Sequence, residues 1–221
     1  MKYKALIFDL DGTLLHTLDD LLDNLEYAFK KLGLRGDFSY EEMESFLGSG
    51  KKAQVERALL SRGYSLDLYQ DLDAALSVRY ELNAENKTRP FNGVIELLNY
   101  LKANNIPAFC LTNKPHHVAL KVIESYFPNL ITATYGVTPN GPVKPDPVLV
   151  ETLLRDHQLQ RDQVLYVGDS DIDMLTANHG HLDAVFVTYG YVRLEKVEQY
   201  RPKYVVSHAL DIIKIVEGQV Q

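Results

Sequence analysis

The stretch KALIFDLDGT, residues 4–13, determines how the fold begins. Its first half is a short, continuous apolar run, which is typical of a strand buried on both faces of a parallel sheet. Its second half places two carboxylates, Asp9 and Asp11, directly after that run, and Gly12 and Thr13 follow. This order predicts a strand of an α/β sheet with polar chemistry at its carboxyl end.

Further along the chain, short apolar runs alternate with segments that have helical periodicity. Strands are predicted at 106–111, 163–167, 184–187 and 204–206, and helices at 94–104, 116–126, 147–157 and 171–179. This alternation favours an α/β fold, namely a Rossmann-like parallel sheet with helices on both faces and right-handed crossovers.

The segment after the first strand has a different pattern. Between about Thr17 and Glu85, leucine and alanine recur at helical spacing, and no convincing strand pattern interrupts them. We therefore predict two domains. An α/β core comprises residues 1–16 and 86–221, and a helical bundle of residues 17–85 is inserted into it.

The composition argues against several classes of function. The 221 residues include 30 acidic and 23 basic side chains, and the net charge of −7 does not suit a protein that binds nucleic acid through phosphate contacts. Apolar runs are too short to cross a bilayer, so no membrane partner is expected. A single cysteine, Cys110, and the lack of a signal-peptide pattern make the cytoplasm the expected location.

Polar residues follow three of the predicted strands, whose carboxyl ends meet at one edge of a parallel sheet. They are Asp9, Asp11, Thr112, Asn113, Asp169 and Asp173. Clustered carboxylates repel one another unless a cation compensates, and Mg²⁺ suits oxygen ligands. Lys144, Thr112 and the backbone N–H groups near Gly12 are expected to hold an anion such as phosphate. Lys114 and Pro115 are interpreted as shaping the start of the next helix.

The order of these residues resembles the four motifs of the haloacid dehalogenase superfamily. The motifs are Asp9-x-Asp11-Gly12-Thr13, Thr112-Asn113, Lys144-Pro145 and Gly168-Asp169-x-x-x-Asp173. The helical insert resembles the C1 cap of that superfamily. Within it, the chain is most similar to phosphoglycolate phosphatases, and the stretches that carry this similarity are 48–50, 55–59, 111–115 and 188–191.

The resemblance implies a Mg²⁺-dependent phosphatase that acts on a small phosphorylated metabolite, with 2-phosphoglycolate as the expected substrate. Asp9 is implied as the nucleophile that forms an aspartyl-phosphate, and Asp11 as the general acid and then the general base. Thr112 and Lys144 complete the implied catalytic set.

Ligand contacts follow from the same resemblance. The implied phosphate-binding residues are Asp9, Gly12, Thr112, Asn113 and Lys144, and the implied metal-binding residues are Asp9, Asp11 (through its backbone carbonyl) and Asp169. Asp173 is expected to act through water or by orienting Lys144. The stretch 48–52 lacks the spacing of a P-loop and is interpreted as a cap loop, in which Lys51 is expected to meet a substrate carboxylate.

Other functions stay open at this point. Inorganic pyrophosphatase and phosphosugar mutase activities occur on similar folds, and a phosphonatase would need a cap lysine such as Lys51 or Lys52. Dehalogenation is disfavoured because relatives with that activity lack an acid that corresponds to Asp11. From a different class, a phosphate-sensing regulator without turnover is an alternative, although the acid at Asp11 argues against it. Both a monomer and a homodimer are compatible with the sequence.

Overall fold

The structure, a computed structural model, describes residues 2–83 and 86–220, except for the side chains of residues 80–83. It divides into two compact units. Residues up to His16 and from Pro90 onward form the first, called the α/β unit, and Thr17–Arg89 form the second, called the helical unit. The predicted boundary at residue 85 lies outside the described residues, and the contacts place the end of the helical unit at Arg89.

Six strands of the α/β unit form one parallel sheet in the order β5-β4-β1-β6-β7-β8. They are β1 (Ala5–Phe8), β4 (Ala108–Pro115), β5 (Ala133–Val137), β6 (Val164–Gly168), β7 (Asp183–Val187) and β8 (Tyr204–Val206). All four residues of β1 are buried, and Leu6 lies opposite Ala108 of β4 and Leu165 of β6. Two short strands, β2 (Leu15–His16) and β3 (Arg89–Pro90), lie next to the unit boundaries in the sequence. The predicted α/β fold with a parallel sheet is confirmed.

Helices flank the sheet. Four of them occur where the sequence predicts helices, namely α5 (Val94–Ala103), α6 (His116–Tyr126), α7 (Pro147–Asp156) and α8 (Asp171–His179), and a fifth, α9 (Asp211–Val216), was not predicted. The apolar side chains of α7 and α8 join a buried core with β1 and β6, in which Val150, Leu153 and Met174 pack with Ile7 and Tyr166. Within the described part of the chain, no helix combines the length and the hydropathy that crossing a membrane requires.

The helical unit contains α1 (Leu18–Lys31), α2 (Tyr40–Phe46), α3 (Gly50–Ser61) and α4 (Tyr69–Asn83). Arg62, at the end of α3, connects it to α2 and to the segment before α2. Its guanidinium group donates to both carboxylate oxygens of Glu42 at 2.6 and 2.9 Å and to the Gly36 carbonyl at 2.6 Å. It also lies 4.4 Å from the centre of the Phe38 ring. A planar cation suits this combination of bidentate and stacking contacts.

Candidate active site

Three neighbouring strands, β4, β1 and β6, bring predicted site residues together at their carboxyl ends. Asp9 follows β1, and its backbone N–H donates to the Val167 carbonyl of β6 at 3.0 Å. Asp169 follows β6 directly, and Thr112 lies in the last part of β4 with its side chain buried. One carboxylate oxygen from each of Asp9, Asp169 and Asp173 lies within 4.8 Å of the others, and all three residues are buried.

Lys144 lies between two of these carboxylates. Its Nζ is 2.7 Å from Asp9 Oδ1 and 2.7 Å from Asp173 Oδ1, and its side chain is only 2% exposed. Burial alone lowers the pKa of a lysine, but attraction to Asp173 and Asp9 outweighs it and holds the pKa of Lys144 well above its ordinary value. The ammonium group is therefore charged throughout the neutral pH range.

The backbone around Lys144 is held by polar contacts from two other elements. The side-chain amide of Asn113, on β4, accepts from the Lys144 N–H at 2.7 Å and donates to the Lys144 carbonyl at 3.2 Å. A ring nitrogen of His179, at the end of α8, lies 2.8 Å from the Pro145 carbonyl. Asn113 thus positions Lys144, and its predicted contact with phosphate stays a prediction.

Asp173 is fully buried, and protein donors contact both of its oxygens. Oδ1 accepts from Lys144 Nζ and from the Tyr166 hydroxyl at 3.1 Å, whereas Oδ2 accepts from the Ser170 hydroxyl at 2.6 Å and the Ser170 N–H at 3.1 Å. The Ser170 contacts form a capping box that starts α8. With its oxygens engaged in this way, the carboxylate is suited to orienting Lys144. Tyr166 was not among the predicted site residues.

The Asp169 carboxylate is enclosed by backbone and by a hydroxyl group. The Thr13 hydroxyl donates to Oδ1 at 2.9 Å, and the Tyr191 N–H donates to Oδ2 at 2.8 Å. A Cβ on Gly12 or on Gly190 would overlap this side chain, and Gly12 also has a φ of 92°. Burial, and then repulsion from Asp173 and Asp9, raises the pKa of Asp169.

The electrostatics of Asp9 and Asp169 fit a hard divalent cation. Burial, followed by repulsion from Asp173, raises the pKa of Asp9 to about 7, although Lys144 acts in the opposite direction. A cation with oxygen ligands would relieve both the desolvation and the repulsion that these carboxylates experience. Buried carboxylate oxygens are donors that Mg²⁺ accepts.

Asp11 has a partner that the sequence analysis did not identify. Lys114 Nζ lies 2.8 Å from Asp11 Oδ1 and 3.0 Å from Oδ2, and the lysine side chain is 3% exposed. The interpretation of Lys114 as a residue that shapes the helix start therefore missed this contact. The two residues are 103 positions apart, and no local pattern in the sequence connects them.

The remaining predicted residues are placed as follows. Thr112 is buried, and its hydroxyl accepts from the Lys114 N–H at 3.2 Å. In the helical unit, Lys51 Nζ lies 2.8 Å from Asp73 Oδ1 and donates to the Ser77 hydroxyl at 2.7 Å. The Lys51 ammonium group is therefore paired with residues of α4. Its predicted contact with a substrate carboxylate stays a prediction.

Comparisons with known proteins agree with this architecture. The profile of the haloacid dehalogenase-like hydrolase family matches residues 6–187. A phosphoglycolate phosphatase from Photobacterium profundum is 31% identical and aligns with 96% of both chains, and one from Mesorhizobium japonicum is 32% identical over 94% of this chain and 92% of its own. A crystal structure described as a predicted phosphoglycolate phosphatase from Haemophilus somnus superposes with a TM-score of 0.90 at 27% identity, covering 98% of this chain and 99% of that one.

Proposed function

Since the chain belongs to the haloacid dehalogenase-like hydrolase family, we propose that it is a Mg²⁺-dependent phosphatase that converts 2-phosphoglycolate to glycolate and phosphate through an aspartyl-phosphate. The observation that carries this proposal is the buried Asp9 carboxylate at the end of β1, held 2.7 Å from Lys144. The names of the relatives at about 31–32% identity support the substrate.

In the first step, a carboxylate oxygen of Asp9 attacks phosphorus, and the bond from phosphorus to the ester oxygen breaks. The ester oxygen leaves with the electron pair and takes a proton from the carboxylic acid of Asp11, so that glycolate leaves as an alcohol. Such acid catalysis typically contributes about 10²–10⁴-fold. The products of this step are the free alcohol, a phosphoryl group on Asp9 and an Asp11 carboxylate.

In the second step, water hydrolyses the phosphoryl group on Asp9. The Asp11 carboxylate removes a proton from water, the water oxygen attacks phosphorus, and the bond from phosphorus to Asp9 breaks. Asp9 regains its carboxylate and Asp11 its proton, so the net reaction consumes one water molecule. The position of Asp11 two residues after Asp9 allows one side chain to serve both steps.

The charged groups around Asp9 have separate roles in the proposal. Lys144 neutralises negative charge on Asp9 and on the phosphoryl oxygens, and Asp173 orients it. The Thr112 hydroxyl and the backbone N–H groups after Asp9, including that of Gly12, bind phosphoryl oxygens. Asp9, Asp169 and the Asp11 carbonyl would hold Mg²⁺, which would neutralise part of the negative charge of the nucleophile and of the phosphoryl group.

The helical unit is proposed to act as a C1 cap that selects the substrate. The α/β unit recognises the phosphoryl group, which all phosphomonoesters share, so selectivity requires further groups. Lys51 is the residue proposed to recognise the carboxylate of 2-phosphoglycolate. The Lys51 ammonium group contacts Asp73 and Ser77 in the structure. This role therefore requires that a substrate carboxylate binds the ammonium group in addition to Asp73 and Ser77 or in their place.

The test is phosphate release from 2-phosphoglycolate, pyrophosphate and hexose phosphates, with Mg²⁺ and with EDTA. The wild type should prefer 2-phosphoglycolate and require Mg²⁺, and the enzyme quenched in acid during turnover should carry a phosphoryl group on Asp9. The Asp9→Asn variant should have lost both properties. The matched control is Asp162→Asn, which removes an exposed carboxylate and should behave as the wild type.

The outcomes separate the parts of the proposal. Preference for pyrophosphate or a hexose phosphate, with the same need for Asp9 and Mg²⁺, would keep the mechanism and refute the substrate. Isomerisation of a hexose phosphate without phosphate release would indicate a mutase. Full activity of Asp9→Asn, or full activity in EDTA, would refute the mechanism.

A further inference from the structure

Two buried lysines of the α/β unit contact different aspartates. Lys144 contacts Asp9, whereas Lys114 contacts Asp11 through both carboxylate oxygens, at 2.8 and 3.0 Å. Lys114 lies at the end of β4, two residues after Thr112, and β4 pairs directly with β1. The strand that provides the predicted phosphate-binding hydroxyl therefore also provides the cation on Asp11.

The Lys114–Asp11 contact compensates for the burial of a charge. The Lys114 side chain is 3% exposed, and removing an ammonium group from water costs several kcal/mol unless a partner compensates. The Asp11 side chain retains 21% exposure, so its carboxylate lies where the protein interior meets solvent. The ammonium group on its buried side thus holds the carboxylate at that boundary.

The geometry restricts the orientation of the carboxylate without consuming its acceptor capacity. An ionised carboxylate has about four lone-pair positions, and Lys114 uses one on each oxygen. Two contacts from a single nitrogen restrain both the position of the group and its rotation. Lone pairs remain on the other side for a proton to be given or taken.

We infer that Lys114 is a positioning residue for Asp11, which holds the acid–base carboxylate at the leaving oxygen of the substrate. This inference rests on the proposed function and adds to it a lysine outside the four motifs. The lysine forms no bond to the substrate and receives no proton. Its contribution is to keep Asp11 within hydrogen-bond reach of the ester oxygen during the first step.

A positioning role predicts a dependence on the leaving group. Glycolate is a poor leaving group and needs the proton from Asp11 as the ester bond breaks, whereas 4-nitrophenolate leaves readily without protonation. The parameter to compare is kcat/KM, because it reports the steps up to departure of the leaving group and not the hydrolysis of the aspartyl-phosphate. Loss of Lys114 should therefore lower kcat/KM far more for the alkyl ester than for the aryl ester.

The experiment measures kcat/KM for 2-phosphoglycolate, or for the best alkyl ester of the panel, and for 4-nitrophenyl phosphate. Lys114→Met removes the charge with little change in volume, Asp11→Asn removes the acid, and Lys121→Met is the control that removes an exposed lysine of α6. We expect the ratio of alkyl to aryl kcat/KM to fall at least tenfold in Lys114→Met and more in Asp11→Asn. It should be unchanged in Lys121→Met. The ratio is independent of the fraction of enzyme that is folded.

The double variant Lys114→Met with Asp11→Asn completes a double-mutant cycle. If Lys114 acts through Asp11, the double variant should have the same ratio as Asp11→Asn alone. Its thermal unfolding temperature should be higher than that of Asp11→Asn, since in the single variant the buried Lys114 ammonium group loses the negative charge of Asp11.

Failure of this inference differs from failure of the proposed function. If Lys114→Met lowers kcat/KM equally for both esters while Asp11→Asn discriminates between them, Lys114 has a structural role only and the inference is wrong. A further fall of the ratio in the double variant would also overturn it, because Lys114 would then act independently of Asp11. If the wild type hydrolyses neither ester, the proposed function itself fails.

Discussion

Metal-free protein should lose stability between pH 5 and pH 8 because of Asp9. Burial and repulsion from Asp173 raise the pKa of Asp9 from 3.8 to about 7. When the pKa of an acid is higher in the folded state than in the unfolded state, the folded state binds the proton more tightly. The resulting stabilisation is complete below the unfolded-state pKa and is lost as the pH rises through the folded-state pKa. The free energy of unfolding should thus decrease as Asp9 ionises.

The size of the effect follows from the shift. A rise from 3.8 to about 7 corresponds to about 4 kcal/mol in all at 1.36 kcal/mol per pKa unit, and more than half of it falls between pH 5 and pH 8. Asp169, whose pKa burial also raises, contributes in the same direction. Asp183 and Glu42 have pKa values lowered to about 2, so their contributions change below this window.

The assay is urea unfolding in EDTA at several pH values, followed by circular dichroism because the chain has no tryptophan. Wild type and Asp162→Asn should show the decrease, whereas Asp9→Asn should show a smaller one and be more stable than the wild type at pH 8. Saturating Mg²⁺ should stabilise the wild type more at pH 8 than at pH 5, because protons compete with the metal for the carboxylate. Equal pH slopes for wild type and Asp9→Asn would refute this reasoning.

Two further predictions concern Gly190, which lies against Asp169, and Asp183, which begins β7. Gly190→Ala places a Cβ against the Asp169 carboxylate and should weaken Mg²⁺ binding about 10–100-fold, measured by calorimetry. The control is Gly218→Ala, whose Cβ meets open space and which should leave the Mg²⁺ affinity unchanged. Equal Mg²⁺ affinities of the two variants would refute the steric argument. Asp183 accepts from Lys2, Tyr3 and Lys203, so Asp183→Asn should lower the free energy of unfolding by about 1 kcal/mol at pH 7, after allowance for solvent screening. The difference in thermal stability between wild type and Asp183→Asn should shrink as the pH falls from 4 to 2, because Asp183 becomes protonated in this range and its contribution disappears. A difference that does not depend on pH would contradict this.

The sequence predicted those parts of the fold in which local pattern and burial coincide. β1 is apolar because both of its faces are covered, and α6 and α8 have the predicted bounds because their apolar spacing and their starts are local features. β5 was missed. Each of its five residues is half-buried, so no apolar run distinguishes it, and its Gly136 is needed because a Cβ there would meet the backbone of Lys114 and His116. Helix α9 was missed as well, since six residues are too few for a clear period.

The order of the motifs along the chain predicted where several site residues lie, but it did not predict which side chains contact one another. Asp9 and Asp169 directly follow β1 and β6, as predicted, and parallel strands bring their carboxyl ends to one edge. The strand predicted to end at residue 111 continues to Pro115, so Thr112 lies within β4 and not after it. The partners of Asn113 and Lys51 were not foreseeable, since each depends on which side chain lies opposite in space. Asn113 contacts a backbone 31 residues away, and Lys51 contacts a helix that follows its own.

Lys114 shows what such a missed pairing changes in the electrostatics. The sequence analysis assigned one lysine, Lys144, to the cluster of four aspartates, so it gave Asp11 no cation of its own. In the structure, the described cluster holds a second lysine, Lys114, next to Asp11. This second positive charge lowers the negative potential that an incoming phosphate group meets. Lys114→Met should therefore raise the KM for a phosphate dianion as well as reduce acid catalysis, and an unchanged KM would mean that solvent already screens the Asp11 carboxylate from the phosphoryl group.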